Sequence, residues 1–125
     1  MAGVTYDTGV LIAAERGDRR VWALHRRALE RGSAPTVPVG VLVEAWRGRP
    51  ELSRLLSGCA VEALTEQPAR AAGELLAGCS LDVGAVDASV VEGALRRADV
   101  VVTSNRAHLA ALADGARKGL DIIDV

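Results

Sequence analysis

Short apolar runs rich in β-branched residues alternate along the chain with longer segments of helical period. Gly3 to Tyr6 is such a run; it ends at Asp7-Thr8, after which Val10, Leu11, Ile12 and Ala13 predict a helix. Arg19 to Arg31 is amphipathic. At 100° per residue, Arg19, Arg20, Arg26, Arg27, Glu30 and Arg31 share one side, and Val21, Trp22, Leu24, Ala28 and Leu29 share the other. Ala34 to Pro38 reads as a proline-punctuated strand, Val39 to Trp46 as a helix ending near Gly48-Arg49-Pro50, and Glu51 to Leu56 as a further short helix. Cys59 to Leu64 alternates like a strand, and Pro68 falls in the first turn of an Ala-rich helix that reaches Gly78. Leu81 to Val86 is a connection and Asp87 to Ala98 a helix. Val100 to Thr103 is a strand, Ala107 to Ala113 a helix, and Ile122-Ile123 a last strand.

Strands alternating with helices predict an α/β fold with a central, mostly parallel β-sheet flanked by helices. Residues 1–125 are expected to form a single domain, with no repeat, linker or low-complexity tract.

Ligands of open α/β sheets bind beyond the carboxyl ends of the strands. Two predicted strand ends are polar, Asp7-Thr8 and Thr103-Ser104-Asn105. Asp87 lies at the centre of an arc made by Val90, Val91, Ala94, Leu95 and Ala98, with Ser89, Glu92 and Arg96 opposite. An acid within an apolar stripe needs a partner, because an unpaired buried carboxylate is costly. Asp87 reads as an N-cap with a Val86–Val91 hydrophobic staple around it, a role compatible with facing a crevice. Glu44 sits in the apolar Val41–Trp46 helix, with Gly40 one turn earlier, leaving room for a ligand, and Arg47 near it. Its plain reading is an acid at the solvent edge; that of Asp7 is an N-cap. Together, three carboxylates and the Asn105 amide would converge from two strand ends and two helices. Such a cluster repels itself without a cation, and an all-oxygen donor set suits Mg²⁺ or Mn²⁺. The usual chemistry there is phosphodiester hydrolysis by water activated on the metal.

Composition narrows the setting. Half the chain is apolar although Phe is absent, so a core can form, and the net charge of −1 provides no global attraction to nucleic acid. Lys118 is the only lysine. Cys59 and Cys79, with no CxxC and no secretory leader, fit buried thiols in a reducing cytoplasm. No apolar run approaches the ~20 residues of a membrane span.

The segments "TYDTGVLIAA", "VLVEAWRG", "VDASVVEGALRRADVVVTSNRAHL" and "IIDV", in this order and spacing, resemble PIN-domain proteins. More closely, they resemble the VapC ribonuclease toxins of bacterial toxin–antitoxin pairs. The resemblance implies a PIN-like fold and Mg²⁺- or Mn²⁺-dependent endoribonuclease activity. Its three acidic positions fall on Asp7, Glu44 and Asp87, and a fourth falls on Asn105, a departure that removes one negative charge. Thr8 and Ser104 match hydroxyl positions at the rim of the site. The resemblance also implies a VapB-type antitoxin partner and a homodimer.

Arg47 and Arg106 flank the expected crevice and are candidates for RNA phosphate contacts, as is the Arg-rich face of the second helix. Arg106 could equally dress the first turn of its own helix. His25 reads as a packed histidine, Trp22 and Trp46 as core or subunit contacts. His108, one turn beyond Asn105, receives no role. Other phosphate chemistries fit less well: Gly9 stands where a haloacid-dehalogenase-type phosphatase needs a second Asp, and no P-loop is present. A PIN-like module with weakened catalysis, binding RNA or protein, is the alternative that Asn105 keeps open.

Overall fold

The computed structural model describes residues 3–125. Its elements run β1 (Val4–Tyr6), α1 (Thr8–Glu15), α2 (Arg19–Glu30), β2 (Thr36–Pro38), α3 (Val39–Ala45) and α4 (Pro50–Leu56), followed by β3 (Ala60–Glu62) and α5 (Glu66–Ala77). The second half adds α6 (Ala85–Arg97), β4 (Val100–Thr103), α7 (Arg106–Gly115) and β5 (Ile122–Asp124). Every strand pairing is parallel, in the order β3-β2-β1-β4-β5. Parallel neighbours require crossovers, which the helices supply.

The strands are three or four residues long, and β1 is buried throughout. Tyr6, Leu11, Leu52, Leu55, Leu109 and Leu112 are fully buried, each contributing about 1.5–3 kcal/mol by leaving water. From β1 the chain builds outward to β2 and β3, then returns through α5 and α6 to place β4 and β5 on the other side. The winding therefore reverses between β1 and β4, and the crevice of such a sheet lies at that switch point.

The predicted Arg19 helix is present, with Asp18 as its cap: the carboxylate accepts from Arg20 N at 2.9 Å and from Val21 N at 3.1 Å. His25 is a packed histidine, its Nδ1 hydrogen-bonded at 2.8 Å to Tyr6 Oη. Trp22 packs against the core and donates its indole N–H to Ala14 O, whereas Trp46 lies at the surface and fills no core position.

Helix α6 departs from expectation at its start. It begins at Ala85, with Gly84 as the N-cap residue, so Asp87 is the third helical residue and does not cap. Val86 is likewise inside the helix, in reach of Gly40: a Cβ on Gly40 would stand 3.1 Å from Val86 Cγ2. The space beside Gly40 thus belongs to helix–helix packing and is not free for a ligand near Glu44. Residues Ala88 to Ala94 are all buried, including Ser89 and Glu92 on the polar side. Glu92 is answered by Arg96 Nε at 2.9 Å, and Ser89 Oγ donates to Val86 O. At the other end, Arg97 bonds Asp99 at 2.9 Å, Glu62 at 2.7 Å and Thr5 Oγ1 at 3.0 Å, while Thr5 donates to Asp99 at 2.8 Å.

Cys59 and Cys79 are free and partly buried. Cys59 Sγ donates to Leu55 O, and burial pushes its thiol up to about 12. Among the described residues no helix is long and apolar enough to cross a membrane.

Candidate active site

The two polar strand ends are neighbours. Tyr6 pairs with Val102, and Asp7 N donates to Val102 O at 3.1 Å, so Asp7 and Thr103 leave the sheet side by side. Asp7 is only 4% exposed, and both its carboxylate oxygens are engaged. Oδ1 caps α1 by accepting Thr8 N at 2.8 Å, and Oδ2 accepts Thr103 Oγ1 at 2.7 Å. The capping role expected for Asp7 is present.

Thr8 Oγ1 donates to Glu44 Oε1 at 2.6 Å, which ties the exposed α3 carboxylate to the first turn of α1. Thr103 Oγ1 also accepts Asn105 N at 2.9 Å. The Asn105 side chain meets His108 Nδ1 at 2.8 Å, and that nitrogen lies 3.5 Å from Asp87 Oδ2. An unbroken chain of polar contacts therefore links Glu44, Asp7, Asn105 and Asp87, with Thr8, Thr103 and His108 as connectors. Residues 103 and 108 were not assigned as site residues from the sequence. The signals were available: Thr103 precedes the polar turn, and His108 lies one helical turn beyond Asn105.

The electrostatics of this crevice fall on Asp87. Burial raises its pKa, and the neighbouring carboxylates of Asp7 and, to a smaller degree, Glu44 raise it further against the opposing pull of His108. Like charges close enough to interact, on three different elements, define a mouth that favours a cation. The donors are hard oxygens. Among the described residues, however, no three His, Cys, Asp or Glu side chains stand close enough to ligate one ion together. Such a set does not fit the closed cage of a structural zinc or calcium ion. A magnesium-like ion differs from these in keeping several waters and taking only one or two carboxylates directly.

The remaining predicted residues divide. Ser104 is exposed at the rim and crowds α1: a Cβ on Gly9 would fall on Ser104 Oγ, so Gly9 permits the close approach of the two strand ends. Arg47 turns back on its own helix, donating to Trp46 O at 2.7 Å and Val43 O at 3.4 Å. Arg106 is held by Asp124 at 2.9 Å and by Ile122 O at 3.1 Å, dressing the end of β5. Neither guanidinium contacts the acidic chain. A cleft of about 310 Å³ between α5 and α6, lined by Glu74, Leu75, Glu92, Leu95 and Arg96 among others, contains none of the predicted residues.

The all-parallel five-stranded sheet is the α/β architecture expected from the sequence, with helices supplying every crossover. No protein-family model matches the chain, and no curated protein matches it. Solved structures do. A VapBC2 complex from Rickettsia felis, bound to a DNA fragment from its promoter, is similar with a TM-score of 0.75 at 16% identity, covering 98% of each chain. DNA-bound VapBC from Salmonella typhimurium gives 0.70 at 22% identity, over 99% of this chain and 98% of that one. A toxin–antitoxin complex from Klebsiella pneumoniae gives 0.69 at 19% identity, over 97% and 96%. At these identities the likeness is one of fold, and it extends over nearly the whole chain.

Proposed function

We propose that this chain is the toxin of a VapBC-type pair, a Mg²⁺- or Mn²⁺-dependent endoribonuclease that hydrolyses RNA phosphodiester bonds. The observation that carries the reading is electrostatic: at the β1–β4 switch point the carboxylates of Asp7 and Glu44, from two other elements, load Asp87 with like charge. The whole-length likeness to chains from VapBC complexes supports it.

In this reading Asp7, Glu44 and Asp87 hold the cation, directly or through its waters. When bound, the ion supplies Lewis acidity toward the phosphoryl oxygen and a more acidic water. The chain's own residues do the rest. Thr103 and Thr8 fix the rotamers of Asp7 and Glu44. Asn105 orients water or substrate with a neutral amide, and Thr8 and Ser104 offer hydroxyls at the rim. Phosphate contacts fall to exposed arginines: Arg47 or Arg106 would have to exchange a present backbone or carboxylate partner, while the α2 face carries Arg19, Arg26 and Arg27 in solvent. A VapB-type antitoxin, a homodimeric state and a cytoplasmic location belong to the same reading.

Purified chain incubated with RNA and Mg²⁺ or Mn²⁺ is expected to cleave it, and EDTA or Asp87→Ala is expected to abolish cleavage. Full activity in Asp87→Ala would refute the site. Asn105 supports a second reading, a PIN-like module with weakened catalysis that binds RNA or protein. A large gain of cleavage in Asn105→Asp would favour it, and little change or a loss would favour a site built around the amide.

A further inference from the structure

Charge is unevenly placed on this chain. Helix α2 with its two caps, residues 18–31, holds five arginines against Asp18 and Glu30, a net +3 in a chain whose total is −1. Arg19, Arg20, Arg26, Arg27 and Arg31 are all exposed, and among the described residues none of them is ion-paired with a carboxylate. Asp18 instead engages the backbone N–H groups of Arg20 and Val21. Arginines on α5, α6 and α7 do meet acids: Arg70 meets Glu66, Arg96 and Arg97 meet Glu62, and Arg106 meets Asp124. Arg19 and Arg26 line a shallow hollow of about 530 Å³ together with Trp22 and Ala23. Arg54 of α4, also exposed and without an acid, stands 5.3 Å from the centre of the Trp22 ring and adds a cation beside this face.

The row of arginines starts next to the acidic crevice. Thr103, which bonds Asp7, is paired in the sheet with Asp124, the last residue of β5. Arg20 Nη2 donates to Asp124 O at 3.0 Å, and Arg106, the neighbour of Asn105, holds the Asp124 carboxylate at 2.9 Å. Two guanidiniums, one from α7 and one from the first turn of α2, therefore meet at the strand end beside the crevice. From Arg20 the other arginines follow over about 16 Å of helix.

We propose that an RNA strand seated in the crevice runs on along α2, its phosphates held by Arg19, Arg26 and Arg27. This rests on the ribonuclease reading above and names the path of its substrate. A guanidinium fork matches the oxygens of a phosphate, and contacts of this kind position a strand without reading its bases. Arg20 and Arg106, both anchored on Asp124, form the joint between crevice and track. The start of the row at the crevice favours RNA over an acidic peptide: a strand cut there must leave across a surface, and this one carries cations that no acid neutralises.

The test is fluorescence anisotropy of a labelled single-stranded RNA longer than the crevice, titrated with the full chain in EDTA over a range of salt. Each arginine that neutralises a phosphate should contribute about 0.7 to the slope of log K against log salt. The triple variant Arg19→Ala, Arg26→Ala, Arg27→Ala should lower that slope by about 2, and the matching triple Lys variant should keep it. Arg70→Ala, on α5, should leave it unchanged. The substituted side chains lie in solvent, so an unchanged melting temperature checks that the variants are folded. With Mg²⁺, the triple Ala variant should show a raised KM and a kcat near that of the wild type. An unchanged slope in the triple Ala variant would overturn the inference, and wild-type cleavage beside it would leave the ribonuclease reading standing. A lowered slope without cleavage by the wild type in either ion would support the track and refute the ribonuclease reading. Tighter binding of polyglutamate than of RNA of equal length would overturn the inference and assign this face to an acidic protein.

Discussion

Replacing Thr103 by Val removes a hydroxyl and almost nothing else, since the two side chains have nearly the same shape. The hydroxyl is fully buried and works twice, donating to Asp7 Oδ2 at 2.7 Å and accepting Asn105 N at 2.9 Å. A hydrogen bond to a charged group is worth about 1.5–3 kcal/mol, and the backbone N–H left without its acceptor adds about 0.5–1.5 kcal/mol. The total is about 2–4.5 kcal/mol, a large share of the ~5–15 kcal/mol that holds a domain together. For a chain of this size, each kcal/mol moves the melting temperature by about 4 °C, so Thr103→Val should melt about 8–18 °C lower. Urea unfolding measures the difference directly, with an unchanged m-value showing that stability alone has moved. Thr103→Ser is the control. It keeps both hydrogen bonds and loses one buried methyl, at about 1 kcal/mol. RNA cleavage should fall further in the Val variant than in the Ser variant, because Asp7 loses the contact that fixes its outer oxygen. If Thr103→Val is no less stable than Thr103→Ser, the buried bond to Asp7 is not what holds this strand end.

Other outcomes follow from the same geometry. Asp87 ionises against burial and against Asp7 and Glu44, so Asp87→Asn should raise the melting temperature at neutral pH while removing cleavage; because the folded pKa is raised, that gain should disappear as pH falls through it. A lower melting temperature for Asp87→Asn at pH 8 would contradict the like-charge reading. Burial lowers the His25 pKa, so the neutral ring supports the fold above the ordinary histidine pKa, and stability falls with acidification below about pH 6.5 by up to about 1.4 kcal/mol per pH unit. His25→Gln should flatten the pH 7.5 to 5.5 segment of the stability curve, and an unchanged slope would assign the effect to another group. With its thiol pushed up to about 12, Cys59 should resist iodoacetamide at pH 8 until denaturant is added; rapid labelling of the native chain at Cys59, located by mass spectrometry, would refute its burial.

The parallel α/β architecture was legible because each short β-branched run is followed by a helical period, and Asp7 was legible because a lone acid closes the first of these runs. Asp87 was recognised as an acid in an apolar stripe at the start of its helix, but was read as the cap and stands instead as the third helical residue. Gly84 offers no side chain to mark the start, and the packing of Val86 near Gly40 carries the helix two residues further back than local signals suggest. Gly40 itself was read as room for a ligand, because sequence does not say which neighbour fills the gap. The guanidiniums of Arg47 and Arg106 were placed beside the crevice by spacing alone; their rotamers follow carbonyls and Asp124, which come near only in the folded chain. The pairing of His108 with Asn105 is a matter of three residues along one helix, yet its meaning depends on Asp87, which arrives from another helix.

Asp87 and Arg97 ride on one buried helix, ten residues and so about 15 Å apart. The Arg97 end is bolted to Glu62, Asp99 and Thr5, and the Arg96 guanidinium beside Glu62 holds that carboxyl below its ordinary range, with Arg97 adding to the effect. Helix α6 thus joins Asp87, in its first turn, to an ion-paired anchor at its other end. A change at Glu62, which is not hydrogen-bonded to Asp7, Glu44 or Asp87, would loosen that anchor, so the setting of Asp87 depends on a residue that belongs to β3 and not to its own surroundings.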